Sequence, residues 1–123
     1  MNFAEQMDRL NSLWKQAEQQ LADFRIDVPV QVPTDNRVVL LGYRKVGERW
    51  RICVGEFDHT KNAYQWVPIA EAGKEYRIEL SKFYPGLKTT VKDAQDRLPS
   101  RVQAAIDNLE GSVFANTRKG EQR

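Results

Sequence analysis

Apolar side chains recur every three or four positions along the first 24 residues of the chain. This spacing places them on one face of a helix and predicts an amphipathic α-helix. Asn2 can cap its first turn, with Glu5 as the reciprocal capping partner. The helix must end before Pro29, because a proline ring disfavours helical geometry in the residue that precedes it. The apolar positions are Phe3, Met7, Leu10, Trp14, Ala17, Leu21 and Phe24.

The same spacing is also a heptad, so two interpretations of this helix are open. Its apolar stripe packs either on the chain's own sheet or on a partner helix, which includes a second copy of the chain. Trp14 is bulky for the seam of a two-stranded coil, Leu13 widens the stripe, and the flanking positions hold almost no complementary charge pairs. These features favour packing on the sheet. For the alternative, the candidate partner-binding stripe is Phe3, Met7, Leu10, Trp14 and Leu21.

The pattern changes at residue 28. Residues 28–36, VPVQVPTDN, indicate an extended connector that is stiffened by its prolines and ends in turn chemistry. Residues 37–56 then alternate as a β-hairpin does, with a loop centred on Val46 and Gly47. The predicted pairs, which form one apolar face, are Tyr43 with Trp50, Leu41 with Ile52 and Val39 with Val54. The opposite face holds Leu40, Gly42, Arg44, Arg49, Arg51 and Cys53.

The next segments are shorter and less regular. Residues 63–69, AYQWVPI, predict a third antiparallel strand, which Pro68 ends or places at an edge. The pattern leaves open which face of the sheet Trp66 joins. Residues 69–83 fit both a helix and a strand. The helix is favoured, because Glu75, Glu79 and Lys82 suit its exposed side.

A second helical pattern runs from Leu87 to Val113. Residues 84–86, Tyr-Pro-Gly, are expected to break the chain before it. Pro99 removes a backbone donor in the middle of the pattern and predicts either a kink or a second helix that starts there. Gly111 is a plausible stop.

Together these elements predict an α+β fold: an N-terminal helix, a three-stranded antiparallel meander, and then two or three C-terminal helices packed on one face of the sheet. A single domain is expected over residues 1–115, followed by a flexible polar C-terminal tail over residues 116–123. The length of 123 residues is sufficient for one core.

The charge of the chain is small overall but uneven. The formal net charge is +2, yet residues 1–36 hold three basic and six acidic side chains, whereas residues 37–61 hold six basic and three acidic ones. The small total argues against strong non-specific nucleic-acid binding by the whole domain. The local excess on the hairpin leaves a weaker form of that idea open.

Cysteine use and hydropathy indicate a compartment. Cys53 is the only cysteine, so no internal disulfide can form, and a reducing environment is favoured. No apolar run approaches the roughly 20 residues that a membrane span needs. The first ten residues are acidic and amphipathic, unlike a secretory signal. We therefore expect a cytoplasmic protein without a membrane segment.

Residues that could support catalysis are few. His59 is the only histidine, so a two-histidine metal site cannot form, and loop histidines beside an aspartate are usually solvated. Cys53 lies within a predicted strand and has no evident activating base. Glu71, Glu75 and Glu79 are spaced as a solvated helix stripe rather than a cation site. We therefore expect no enzyme activity, no cofactor and no metal.

The basic hairpin face is the main positive feature. Guanidinium groups donate paired hydrogen bonds to phosphate, and aromatic rings on the same face can stack on bases. The competing interpretation is that arginine simply covers the exposed side of an ordinary hairpin. We therefore expect a small non-catalytic protein that acts through protein contacts, with weak nucleic-acid or polyanion binding as the alternative. The candidate polyanion-binding residues are Arg44, Arg49, Arg51, Tyr64 and Trp66.

Overall fold

The computed structural model describes residues 1–34 and 37–121, with side chains described up to residue 114. It confirms the α+β class: helices flank one antiparallel sheet in the strand order β1-β2-β3-β4. The strands are β1 (Val28–Val32), β2 (Val39–Val46), β3 (Arg49–Asp58) and β4 (Ala63–Pro68). The helices are α1 (Phe3–Gln20), α2 (Lys74–Glu79), α3 (Tyr84–Asp96) and α4 (Leu98–Glu121), with 3₁₀ turns at Ile69–Glu71 and Leu80–Phe83.

The prediction of three strands is wrong by one, because the segment interpreted as a connector contains the edge strand β1. Val28, Val30 and Val32 alternate along β1 and pack in or against the core. Pro29 is tolerated because an edge strand has one side of its backbone that needs no hydrogen-bonding partner. β4 forms as predicted, and Pro68 is its last residue.

The predicted pairing of β2 with β3 is wrong by two residues. Tyr43 lies opposite Ile52 and Leu41 opposite Val54, so that Trp50 faces Lys45. Strands β2 and β3 are joined by residues 47 and 48, and Gly47 has a φ of 63°, as the first position of a primed two-residue turn requires. Because side chains alternate with a period of two, this shift leaves Tyr43, Trp50 and Ile52 on the predicted apolar face.

Helices α1 and α3 pack on the apolar face of the sheet, as predicted, but α4 does not, since its residues 101–114 are all exposed. Trp14 of α1, Leu21 at its C-cap, and Leu87 and Val91 of α3 meet the sheet residues in one core. Half-buried Trp50 stacks on buried Tyr43 with 5.5 Å between ring centroids. The buried sheet residues of this core are Val28, Val32, Val39, Leu41, Tyr43, Ile52 and Val54.

Helix α1 packs on the chain's own sheet, the favoured interpretation of its stripe. Asn2 accepts a hydrogen bond from the backbone N–H of Glu5 at 2.8 Å, which confirms the predicted cap. Trp14 and Leu21 are buried, Leu10 packs against the core and Met7 is half-buried. Phe3 is 59% exposed, with the Lys74 ammonium 5.7 Å from its ring centroid.

The C-terminal third is helical, and the helix favoured within residues 69–83 is confirmed by α2. The expected break at residues 84–86 is wrong: α3 begins there, because proline is accommodated in the first turn of a helix. The break near Pro99 is confirmed, since α3 ends at Asp96 and α4 begins at Leu98. Gly111 does not stop α4, which continues to Glu121. The predicted tail thus begins inside α4, and residues 122 and 123 lie outside the described residues.

Candidate functional site

The outer face of the sheet, opposite the helices, carries an aromatic cluster built on two glycines. Trp66 of β4 lies across Gly55 of β3 and Gly42 of β2. A Cβ atom at Gly42 would lie 2.8 Å from the Trp66 ring, and one at Gly55 would lie 2.9 Å from it. Tyr64 follows on the same strand face, with its ring centroid 6.0 Å from that of Trp66. The sequence pattern left the face of Trp66 open, and the structure places it with the predicted polar face of the hairpin.

Arg44 completes this outer cluster. Its guanidinium carbon lies 4.4 Å from the centroid of the Trp66 ring, within cation–π distance. Its Nε is 3.9 Å from a carboxylate oxygen of Asp27, a partly exposed and long ion pair. Three of the five candidate polyanion-binding residues, Arg44, Tyr64 and Trp66, therefore share one surface.

The other two arginines lie at an open edge of the sheet. β4 pairs with β3 from Cys53 onward, so within the described part of the chain no strand pairs with residues 49–52 on that side. Glu18 of α1 covers this edge: it accepts hydrogen bonds from the Arg51 Nε at 3.3 Å and from the Ile52 backbone N–H at 3.1 Å. Arg51 is therefore turned toward α1, although it is paired directly opposite Arg44 in the ladder.

Arg49 and Arg51 line a hollow of about 400 Å³, named here the basic cleft, between α1, the open edge of β3 and the start of α2. Lys15 and Arg77 add two further cations, and Glu18 is the only carboxylate among the described residues that line it. Sequence reasoning missed Lys15 and Arg77, because they are 62 positions apart and only the packing of α1 against α2 brings them together. The other lining residues are Asn11, Trp14, Ile69 and Ala70.

Helix α4 presents a third surface. Val102, Ile106 and Leu109 are spaced four and three residues apart, on one face of the helix, and are 54%, 42% and 65% exposed. The sequence pattern assigned these residues to helix packing on the sheet. Residues 101–114 of α4 are all exposed, so in the described chain this part of the helix does not pack on the sheet and its apolar stripe is uncovered.

The residues considered for catalysis are not brought together. Cys53 is 1% exposed, and burial, with the Glu18 carboxylate as a lesser cause, raises the pKa of its thiol to about 11. His59 packs edge-on against Phe57, with 4.9 Å between ring centroids. Glu71 lies in a 3₁₀ turn separate from α2, so the predicted glutamate stripe is not continuous.

Two kinds of site are absent from the described residues. They contain no group of three or more His, Cys, Asp or Glu side chains arranged to hold a metal ion. In the same residues, no helix combines the length and the hydropathy that a membrane crossing requires.

Comparison of the chain with known protein families, curated protein sequences and solved structures found no match.

Proposed function

We propose that the protein acts through protein–protein contact, and that two copies associate through the apolar stripe of α4. The observation that carries this proposal is the exposure of Val102, Ile106 and Leu109 on one face of a long helix. At 1.5 Å per residue, the 24 residues of α4 extend about 36 Å. Most helical stability in proteins comes from packing of an apolar face, so such a helix is expected to have a partner.

The residue types along the stripe favour a second copy as that partner. Val102 and Leu109 take equivalent heptad positions, d, and Ile106 lies at position a between them. Ile106 at a with Leu109 at d is the combination that favours two-stranded coils, and Val102 at d departs from it. The flanking positions are mostly uncharged, so two stripes can approach without repulsion between like charges; these positions hold Gln103, Ala105, Glu110 and Ser112.

Analytical ultracentrifugation of the full chain over a range of concentrations tests this proposal. The wild type should shift from one chain to two as its concentration rises. Ile106→Glu combined with Leu109→Glu should weaken association at least about tenfold, because each charge must be buried in an apolar seam. Ala104→Glu combined with Asn108→Glu adds the same two charges on the opposite face of α4 and should leave association intact.

Circular dichroism of each variant checks that α4 remains helical. A wild type that stays monomeric at about millimolar concentration, where even weak association is detectable, would exclude self-association. Equal behaviour of the two double variants would exclude the stripe as the contact surface.

Polyanion binding on the outer face of the sheet is a second candidate function. The supporting observation is that the helices pack on the other face, which leaves Arg44, Tyr64 and Trp66 together on an exposed surface. Aromatic rings beside guanidinium groups suit single-stranded nucleic acid. We expect this binding to be weak, because Arg44 already forms an ion pair with Asp27 and because the net charge of the chain is small.

Fluorescence anisotropy of a labelled single-stranded oligonucleotide, measured at several salt concentrations, tests this second function. Arg44→Gln should lower the affinity and flatten its dependence on salt. Lys92→Gln, on α3, removes the same charge elsewhere and serves as the control. Absence of binding at low salt, or an equal effect of both variants, would remove this candidate.

A further inference from the structure

We propose that the basic cleft binds the phosphate group of a small phosphorylated molecule. The cleft is formed by α1, β3, the 3₁₀ turn after β4 and α2. None of the described residues that line it belongs to α4, so the proposal does not depend on self-association. The lining residues of the basic cleft also differ from the candidate polyanion-binding residues on the outer face, Arg44, Tyr64 and Trp66.

The charges of the lining side chains favour an anion. Four cations face one carboxylate, which leaves a formal excess of three positive charges. Glu18 is already paired with Arg51, at 3.3 Å. Among residues 1–34 and 37–114, no acidic side chain lies within ion-pairing distance of Lys15, Arg49 or Arg77. A concave surface lined by one sign of charge concentrates the potential that attracts a ligand of the opposite sign.

A neighbouring hollow of about 470 Å³ near the hairpin turn is a weaker candidate for the same ligand. It shares Glu18 and Arg49 with the basic cleft. Its three cations, Arg25, Lys45 and Arg49, face two carboxylates, those of Glu18 and Glu48. Its formal excess is therefore a single positive charge, and it offers less attraction to a phosphate.

Arg77 supplies donors that the fold holds in place. Its Nη1 donates to the Asn11 side-chain oxygen at 2.6 Å, and its backbone carbonyl accepts from the Trp14 Nε1 at 2.8 Å. Its Nε is buried and has no hydrogen-bonding partner among the described residues. The two N–H groups of Nη2 and the second of Nη1 have no partner among the described residues, and the planar guanidinium suits phosphate oxygens.

The size and the apolar part of the cleft indicate a ligand larger than a phosphate ion. A hollow of about 400 Å³ lies within the range of small-molecule sites. Trp14, Ile69 and Ala70 line it beside the cations, and they offer contact to the organic part of a ligand. The phosphate backbone of a nucleic acid carries the same chemistry, so the experiment must separate these two sources.

Isothermal titration calorimetry of the full chain tests the proposal, with pyrophosphate, adenosine monophosphate and a single-stranded oligothymidylate as probes. Lys15→Gln combined with Arg49→Gln should weaken binding by about tenfold or more, because charge-assisted bonds to phosphate are lost. Lys92→Gln combined with Arg101→Gln makes the same change of charge on α3 and α4 and should leave binding nearly unchanged. Unfolding curves check that each variant is folded.

Glu18→Gln is expected to strengthen phosphate binding, whereas the Lys15 and Arg49 double variant weakens it. It removes the only carboxylate of the cleft while keeping an oxygen that can accept a hydrogen bond, so phosphate affinity should rise several-fold. A general loss of structure would not strengthen binding. Adenosine monophosphate that binds as tightly as the oligothymidylate supports a small-molecule ligand.

The oligothymidylate could instead bind far more tightly than adenosine monophosphate and lose the same affinity in the Lys15 and Arg49 double variant. That result supports a phosphate-binding cleft and identifies nucleic acid as the source of the phosphate. Absence of binding by all three probes at low salt overturns the proposal. It is also overturned if Arg44→Gln abolishes binding while the cleft variant retains it.

Discussion

The indole of Trp66 lies flat on Gly55, the residue that faces it across the β3–β4 ladder. A Cβ atom built on Gly55 would lie 2.9 Å from three different atoms of the ring, so the face of the ring rather than its edge covers the glycine. The far end of the same ring covers Gly42 on β2. Glycine inside a strand often marks such a close approach, and here the tryptophan ring packs directly on the backbone of two glycines.

Gly55→Ala is therefore expected to destabilise the protein by about 1–3 kcal/mol, because the added methyl group has no room beneath the Trp66 ring. The free energy of unfolding from urea denaturation measures the effect. In a Trp66→Leu background the same substitution should cost less, because the flat ring is gone, and a double-mutant cycle gives the coupling between the two sites.

Gly111→Ala is the control, since a Cβ atom at this position in α4 meets nothing within 4 Å. It should leave stability unchanged or raise it by up to about 1 kcal/mol, because alanine is the better helix former. A loss at Gly55→Ala that is the same with and without Trp66 would contradict the packing described above.

Glu18 is expected to stabilise the open edge of β3. Glu18→Ala should lower the free energy of unfolding by about 1–3 kcal/mol, because the Ile52 N–H and the Arg51 guanidinium lose a charge-assisted acceptor. Asp8→Ala removes a carboxylate from an exposed position of the same helix and should change stability by less than about 0.5 kcal/mol. Equal effects at the two positions would show that Glu18 acts only as a surface charge.

The features predicted correctly from the sequence depend on short-range periodicity. The cap and apolar stripe of α1 and the two faces of the hairpin follow from spacings of 3.6 and two residues. The same period explains the error in register: a shift of two residues leaves Tyr43 and Trp50 on the apolar face, so the pattern cannot detect it. The geometry of the turn sets the register instead, because Gly47 takes a positive φ at the first position of a two-residue turn.

The features that were missed depend on tertiary contacts or on competing signals. The alternation of Val28, Val30 and Val32 is a strand signal, but the neighbouring prolines favoured a connector. The basic cleft requires Lys15 and Arg77 to meet across two helices, and no local pattern contains that contact. The exposure of the α4 stripe was missed for a related reason: periodicity shows that a helix has an apolar face but not what covers it.

Cys53 is expected to react slowly with thiol reagents in the native state. It is 1% exposed, and its raised pKa, about 11, keeps the thiolate fraction near pH 8 very small. The rate of reaction with Ellman's reagent should rise by orders of magnitude in denaturant, where burial no longer disfavours the thiolate. A native rate equal to the rate in denaturant would show that the outer face opens readily around β3.

Tyr43 should make stability depend on pH in the alkaline range. Its hydroxyl donates to the Leu21 carbonyl at 2.6 Å, and burial, with the Glu18 carboxylate as a lesser cause, raises its pKa from 10.0 to about 12. Since the folded state holds this proton more tightly than the unfolded chain, the stabilisation is complete below about pH 10 and is lost between about pH 10 and 12. Tyr43→Phe should be less stable than the wild type near pH 7 by about 1–2 kcal/mol, because the buried carbonyl loses its donor. Urea denaturation from pH 7 to 12 should show this difference narrowing above pH 10, and a difference that stays constant over the whole range would contradict the role of the Tyr43 proton.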